Sequence, residues 1–396
     1  MRRFRCLMFV AIAADVISAL GFRDKSIYAL QNMAEDGKEH HVPAGGFKNP
    51  WPSFGFAAGL KDGLSMFIWD YDRKRSRVTA EVRAQLGEPL KTNTKMLLKP
   101  PSDQIQVTWV GHATFLVQFD KINVLTDPVW SERCSPSSIV GPKRFVPVPF
   151  PLKELPDVDV VVISHNHYDH LDENTVKALG NKPLYLVPLG LKSWFNSIGI
   201  TNVVELDWWQ EHKISLSDKG SDRILKAVCT PCQHFSGRGI LDRNKTLWCS
   251  WVLEGSTKRA FFSGDTGFCT VSRNSEHAGG VPEFDDIHKN VNVNLPVCPA
   301  FEEIGKRYGP FDVAFIPIGA YSPRHFMSAI HCSPEDAVAI HKAVHAKRSI
   351  GMHWGTFSLT DEPILEPPTR LLKELARLRI DPSTFFTMKH GETKTL

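Results

Sequence analysis

Three histidines and an aspartate fall within six positions of Ser164-His-Asn-His-Tyr-Asp-His-Leu-Asp172: His165, His167, Asp169 and His170. Imidazole and carboxylate ligands suit zinc and would also take iron or manganese. Directly upstream runs Val158-Asp-Val-Val-Val-Ile163, the β-branched composition of a strand covered on both faces. A strand that ends in a loop turns alternate residues in different directions. His165 and His167 are therefore expected to grip one cation while Asp169 and His170 face a second. Two cations need more ligands, and the candidates again follow apolar runs: His234, Asp265 in Phe261-Phe-Ser-Gly-Asp-Thr-Gly267, and His353 in Ile350-Gly-Met-His-Trp-Gly355. An aspartate set between Gly264 and Gly267 can approach closely enough to bridge two ions. The expected sets are His165, His167, His234 and Asp265 for one cation, and Asp169, His170, Asp265 and His353 for the other.

These residues must be positioned by short elements. Ile105–Val110, Phe115–Phe119 and Ile122–Leu125 read as a strand meander. Further strands are expected at Leu184–Val187, Ile224–Val228, Trp248–Leu253, Arg259–Phe262, Val313–Ile318 and Ser349–Met352. Helices are expected between them at Glu173–Leu179, Pro299–Tyr308 and Pro334–Val344. The last opens with Ser333 as N-cap, Pro334 at N1 and Asp336 at N3, a variant of the capping box. Strands interleaved with helices make this an α/β protein.

The 396 residues suit one large domain with extensions. A net charge of +4 gives no case for a nucleic-acid binder. Eight cysteines, mostly isolated, read as reduced thiols in an intracellular compartment. Cys229-Thr-Pro-Cys232 has the spacing of a redox pair but lacks a thioredoxin-like setting. The N-terminus pulls the other way: Arg2, Arg3 and Arg5 precede the uncharged run Cys6–Ala14, as in a signal peptide, which leaves a secretory route open. An uncleaved leader that touches membrane is the other reading, because the run is too short to span a bilayer. Residues 1–44 are expected to be a leader and irregular arm, 45–104 an N-terminal extension, and 105–396 the main domain. Within the extension, Phe56, Leu60, Leu64, Phe67 and Ile68 repeat at helical spacing. That amphipathic helix would pack on the main domain, or turn its apolar face to lipid or a second subunit. Arg73-Lys-Arg-Ser-Arg77 reads as a solvated face, with anionic lipid as an alternative partner.

The His-x-His-x-Asp-His motif with its later His, Asp and His has the order of the metallo-β-lactamase superfamily. Segments away from those residues resemble one family within it more closely: Trp109-Val-Gly-His-Ala-Thr114, Leu125-Thr-Asp-Pro128, Gly141-Pro-Lys-Arg-Phe145, Glu205-Leu-Asp-Trp-Trp209, Pro317-Ile-Gly-Ala-Tyr321 and His353-Trp-Gly-Thr-Phe357. The sequence is similar to the N-acyl-phosphatidylethanolamine-hydrolysing phospholipase D family from about Gly45 to the C-terminus. The resemblance implies a four-layer αββα sandwich with an N-terminal extension and two zinc ions per chain held by the seven residues above. It implies hydrolysis of N-acyl-phosphatidylethanolamine to N-acylethanolamine and phosphatidic acid, with a metal-bridged hydroxide attacking phosphorus. It also implies a homodimer in peripheral contact with endomembranes. Asp169, Asp265 and His331 would be catalytic, Tyr168 and His331 would meet the substrate, and His112 and Asp127 would support the ligands from behind.

The chain departs from the family at three places. Ile330 replaces a glutamine, Arg238 stands alone where two basic residues are usual, and a polar stretch of 28 residues, Thr270–Val297, interrupts the pattern. Without that stretch, Gly264–Cys269 would run almost directly into Pro299–Gly305. It reads as a surface loop or a retained non-coding segment rather than a lid. Rival functions on the same fold are a lactonase, a thioester hydrolase, a nuclease or a scaffold that has lost its chemistry. A nuclease would show a stronger basic groove, and a scaffold would have lost ligands.

Overall fold

A computed structural model describes residues 38–54, 76–137, 139–216, 223–239, 241–269 and 296–396. The leader, nearly all of the expected 53–70 helix and most of the 270–297 stretch lie outside the described residues.

Two seven-stranded sheets make up the centre. The first has the order β14-β1-β2-β3-β4-β5-β6, with β1 Gln106–Gly111, β2 Thr114–Phe119, β3 Ile122–Thr126, β4 Val160–Val162, β5 Leu184–Pro188, β6 Val203–Leu206 and β14 Thr393–Thr395. The second has the order β13-β12-β11-β10-β9-β8-β7, with β7 Glu211–Leu216, β8 Arg223–Thr230, β9 Ser250–Glu254, β10 Arg259–Phe262, β11 Val313–Pro317, β12 Ser349–Met352 and β13 Phe385–Thr387. The expected meander is present, with Val117 opposite Val107 and Leu116 opposite Leu125.

Alternation along each strand builds the layers. Trp109, Phe115, Val124, Val160 and Val162 point from the first sheet into the core shared with Trp251, Phe261 and Phe315 of the second. Their neighbours Val110, Leu116, Leu125 and Val161 point the other way, onto Leu97, Val176 and Phe195 of the helices Thr94–Leu98, Glu173–Leu179 and Lys192–Ser197. Val160, Val161 and Val162 are all fully buried, as a strand covered on both faces requires. Helices Ala300–Tyr308, Pro334–Ala343 and Glu366–Leu378 supply Phe301, Val338 and Leu371 to the second sheet's side. The result is the αββα sandwich. The capping box forms as expected: Ser333 Oγ accepts from Asp336 N, and Asp336 accepts from Ser333 N.

The arm from residue 38 lies against the β6–β7 connection and the loop after β8 and is tied down by polar groups. His40 Nε2 meets Asp207 Oδ1 at 2.7 Å and His41 Nε2 meets Oδ2 at 2.8 Å. Trp51 stacks on Trp208 at 5.3 Å. Asn49 Nδ2 donates to His234 O, and Ser53 Oγ to Gln233 Oε1. Replacing both histidines with alanine leaves the buried Asp207 carboxylate without them and is expected to destabilise the protein by about 2–3 kcal/mol, read as a lower Tm. An unchanged Tm would mean the arm contributes no stability.

The 270–297 stretch leaves and returns at one place. Cys269 and Val297 form an isolated antiparallel bridge, and Cys298 N donates to Phe268 O at 2.7 Å.

Candidate metal centre

β1, β3 and β4 run in one direction in the first sheet, as do β8, β10, β11 and β12 in the second. The chemistry-bearing residues all follow the C-terminal ends of these strands. His112 follows β1, Asp127 follows β3, His165–His170 follow β4, His234 follows β8, Asp265 follows β10 and His353 follows β12. Three of them turn the chain sharply in the left-handed region: His112 at φ 56°, Asp127 at φ 33° and His353 at φ 64°. For non-glycine residues this conformation costs energy and collects at functional sites. Gly264, at φ 58°, lets Asp265 approach: a Cβ there would stand 2.6 Å from Ser164 Cβ.

The side chains converge in two groups. His165 Nε2 lies 2.8 Å and His234 Nε2 3.3 Å from His167 Nδ1. Asp265 Oδ2 lies 4.0 Å from His165 Nε2 and 3.8 Å from His234 Nε2. The same oxygen lies 3.1 Å from His170 Nε2 and 3.1 Å from His353 Nε2. Asp169 Oδ2 joins this second group at 3.3 Å from His353 Nε2 and 3.6 Å from His170 Nε2. His112 joins too, its Nε2 at 2.9 Å from Asp169 Oδ2. From the sequence, His112 is expected only to support the ligands from behind. The register of β1 against β2 carries it to the same rim as the others.

Asp127 sits behind the ligand set. Its carboxylate accepts from Ser164 N at 2.7 Å, Ser164 Oγ at 2.5 Å and His170 Nδ1 at 2.6 Å, so His170 presents Nε2 forward. His234 Nδ1 meets Ile330 O at 2.8 Å. This contact uses the main chain, so isoleucine in place of glutamine leaves it intact. Arg238 Nη1 donates to Asn166 O and Leu171 O, bracing the His-rich loop, and its guanidinium lies 4.0 Å over the Tyr168 ring. Cys229 and Cys232 are buried free thiols.

Could these residues hold cations? Ligands about 2.0–2.1 Å from a tetrahedral ion stand roughly 3.3 Å apart, within the spacings seen here. Among the described residues Asp265 Oδ1 is buried with no hydrogen-bond partner, and His170 Nε2 and His353 Nε2 face Asp265 Oδ2 at 3.1 Å without well-aligned hydrogen bonds. Buried polar atoms are rarely left so. Burial, reinforced by the neighbouring imidazoles, holds His165 well below the ordinary histidine range. Burial also holds His234 well below it and lowers His167 to about 4. These rings are neutral and ready to donate lone pairs. In the second group burial also opposes charge, but Asp265 and Asp169 outweigh it. His353 rises to about 9 and His170 moves well above its usual value. Asp169 and Asp265 are held well below the carboxylate range by the facing histidines, against the opposing effect of burial. The set fits divalent cations, with protons on His170 and His353 balancing the carboxylates in their absence.

A pH dependence follows. At pH 7 the cation-free protein carries protons on His170 and His353 that must leave before either ring can ligate. Zinc added to metal-free protein in weak buffer is expected to release at least about two protons per chain, with more where a bound water also ionises, followed with an indicator dye. Affinity should rise with pH toward about 9 and fall as pH drops. Release of no protons would mean that these histidines do not ligate.

His331 stands beside both groups. Its Nε2 lies 3.7 Å from Asp265 Oδ2, and its buried Nδ1 has no hydrogen-bond partner. Burial lowers it to about 3, so the ring is neutral. Arg324 holds the segment by donating to His331 O at 3.0 Å. Spacing gave no sign of Arg324, which is almost fully buried and pairs with Asp336 of the capping box at 2.5 Å.

Comparison with known proteins bears on these groups. Residues 122–285 and 295–354 match the Beta-lactamase superfamily domain. The chain is 41% identical over 296 residues to N-acyl-phosphatidylethanolamine-hydrolyzing phospholipase D 1 of Caenorhabditis elegans, covering 72% of this chain and 74% of that one. It is 34% identical over 268 residues to the mitochondrial N-acyl-phosphatidylethanolamine-hydrolyzing phospholipase D of Saccharomyces cerevisiae, covering 67% of this chain and 50% of that one. Among solved structures, the isothiocyanate hydrolase from Delia radicum gut bacteria superposes with a TM-score of 0.51 at 18% identity, over 74% of this chain and 98% of that one. That likeness concerns the fold.

Proposed function

We infer the function from the premise that this chain belongs to the N-acyl-phosphatidylethanolamine-hydrolysing phospholipase D family of the metallo-β-lactamase superfamily. It is a metal-dependent hydrolase. The finer reading is a zinc phosphodiesterase with two zinc ions per chain that cleaves N-acyl-phosphatidylethanolamine into N-acylethanolamine and phosphatidic acid. One observation supports its two-cation part: Asp265 Oδ2 lies between both candidate groups, where a bridging carboxylate would stand; the substrate rests on the family.

When bound, a pair of zinc ions supplies a hydroxide nucleophile near neutral pH and neutralises charge gathering on the phosphate oxygens. The chain's own residues do the rest. Asp127 fixes the tautomer and direction of His170. Asp169 and Asp265 bring two negative charges into a buried site and so favour cations there. His331 offers a ring N–H to a phosphate oxygen; its neutrality suits it to hydrogen bonding rather than to full proton donation. Tyr168, next to Arg238 at the loop, is the candidate contact for the substrate beyond the phosphate.

A lipid substrate implies peripheral contact with membrane. Among the described residues, no helix is long and apolar enough to cross one. A homodimer in an intracellular, membrane-associated location completes the reading. The mitochondrial designation of the yeast relative supports an intracellular place. The test is hydrolysis of N-acyl-phosphatidylethanolamine in mixed micelles, with metal content measured on the same sample. Release of both products at about two zinc per chain is expected. Metal-loaded protein that leaves the lipid intact would keep the hydrolase and overturn the substrate.

A further inference from the structure

A second cavity, of about 520 Å³, opens between the segment at residues 76–83 and the loop at 133–145. Five of its lining side chains are cationic: Arg77, Arg83, Arg133, Lys143 and Arg144. The whole chain carries a net charge of only +4, so this is a local concentration. Among the described residues, three of these guanidiniums donate to carbonyl oxygens. Arg83 donates to Phe145 O at 2.7 Å, Arg133 to Gly141 O at 2.6 Å and Arg144 to Val129 O at 2.7 Å. Carbonyls orient an arginine without neutralising it, and among the described residues only Asp172 adds a carboxylate's field at Arg144. Lys143 meets Glu132 at 3.1 Å, but both are largely exposed and such pairs are weak.

Arg144 carries the argument furthest. It is 7% exposed, and its Nε and Nη1 are buried without a hydrogen-bond partner. Burial lowers it only to about 10, so it stays charged at neutral pH. A buried, charged and incompletely bonded guanidinium is costly unless an anion shares the site. It stacks at 5.1 Å on Phe357, whose ring meets His112 edge-on at 5.2 Å. The cavity therefore backs onto the metal centre through one aromatic side chain and is lined by none of the metal-centre residues.

We propose that this basic cavity is a second anion site that takes a phosphate monoester or free phosphate, as a lipid headgroup or from solution, separate from the phosphodiester at the metals. Planar guanidiniums suit bidentate contact with phosphate oxygens, and several basic groups around one anion suit a dianion.

Arg77 and Lys143 are exposed, so R77Q/K143Q removes two charges without opening the core. Inorganic phosphate titrated calorimetrically into the metal-loaded full chain is expected to bind at least about tenfold more weakly in this variant at one class of sites. Any phosphate taken by the metal centre is common to both proteins and cancels in the comparison. R144K, which keeps the charge but loses the fork, is expected to weaken the same class, and unchanged Tm values for R77Q/K143Q confirm folding. Phosphatidylcholine vesicles with and without about 20 mol% phosphatidic acid separate the sources. Co-sedimentation that depends on phosphatidic acid and weakens in R77Q/K143Q assigns the lipid headgroup. Phosphate binding that weakens in the variant without any such vesicle dependence assigns the soluble ion. Equal affinities of wild type and variants for phosphate and for both vesicles would overturn the proposal.

Discussion

Asparagine in place of Asp265 is expected to abolish lipid hydrolysis, lowering kcat/KM by about 10³-fold or more, equivalent to at least about 4 kcal/mol of transition-state stabilisation. The substitution keeps size and shape but removes the charge from the oxygen that both ligand groups share. Oδ2 lies 3.1 Å from His170 and from His353, and 3.8–4.0 Å from His234 and His165. Both groups should therefore lose affinity, and bound zinc should fall well below that of the wild type. His170 and His353 owe their raised pKa values largely to this carboxylate, so both should titrate lower in the variant. Elemental analysis and a micelle assay on the same preparation check the result. Full zinc content with wild-type turnover would remove Asp265 from the centre.

His331→Ala is expected to lower kcat about 10²-fold while zinc content stays at the wild-type level. The ring lies 3.7 Å from the shared carboxylate, while the main chain of His331 is braced by Arg324 and Met327 O rather than by the two candidate groups. Glutamine retains an N–H donor, so H331Q should recover part of the loss. If alanine and glutamine are equally slow, the role is not hydrogen bonding. If zinc is lost together with activity, His331 belongs among the ligands.

Much of this was legible in the residues because strands announce themselves by β-branched runs and the candidate ligands follow strand ends. Arg259–Phe262 and Ser349–Met352 form strands with the expected bounds, and Glu173–Leu179 a helix. What escaped notice has a physical reason in each case. β7, Glu211–Leu216, is an edge strand with one buried residue, Ile214, so its apolar alternation is faint. β14 is the polar tripeptide Thr-Lys-Thr, fixed only by pairing with β1. Helix Glu366–Leu378 begins with two prolines, which read as a loop but stand in the first turn, where no N–H partner is needed. His112's approach to Asp169 depends on strand register, and the anchoring of His40 and His41 on Asp207 joins residues 166 and 167 positions apart. Spacing along the chain carries no trace of such contacts.

The bridge between Cys269 and Val297 makes the neighbouring insertion a modular matter. A chain that departs and re-enters at one point asks nothing of the sheets on either side, and in polymer terms each doubling of the excursion adds only about 0.6 kcal/mol of closure entropy. Lengthening a short turn severalfold at this point therefore costs no more than one ordinary surface substitution or two. With the chain pinned at Cys269 and Val297, β10, Asp265 and the helix at Ala300–Tyr308 can keep their places whatever the length between them.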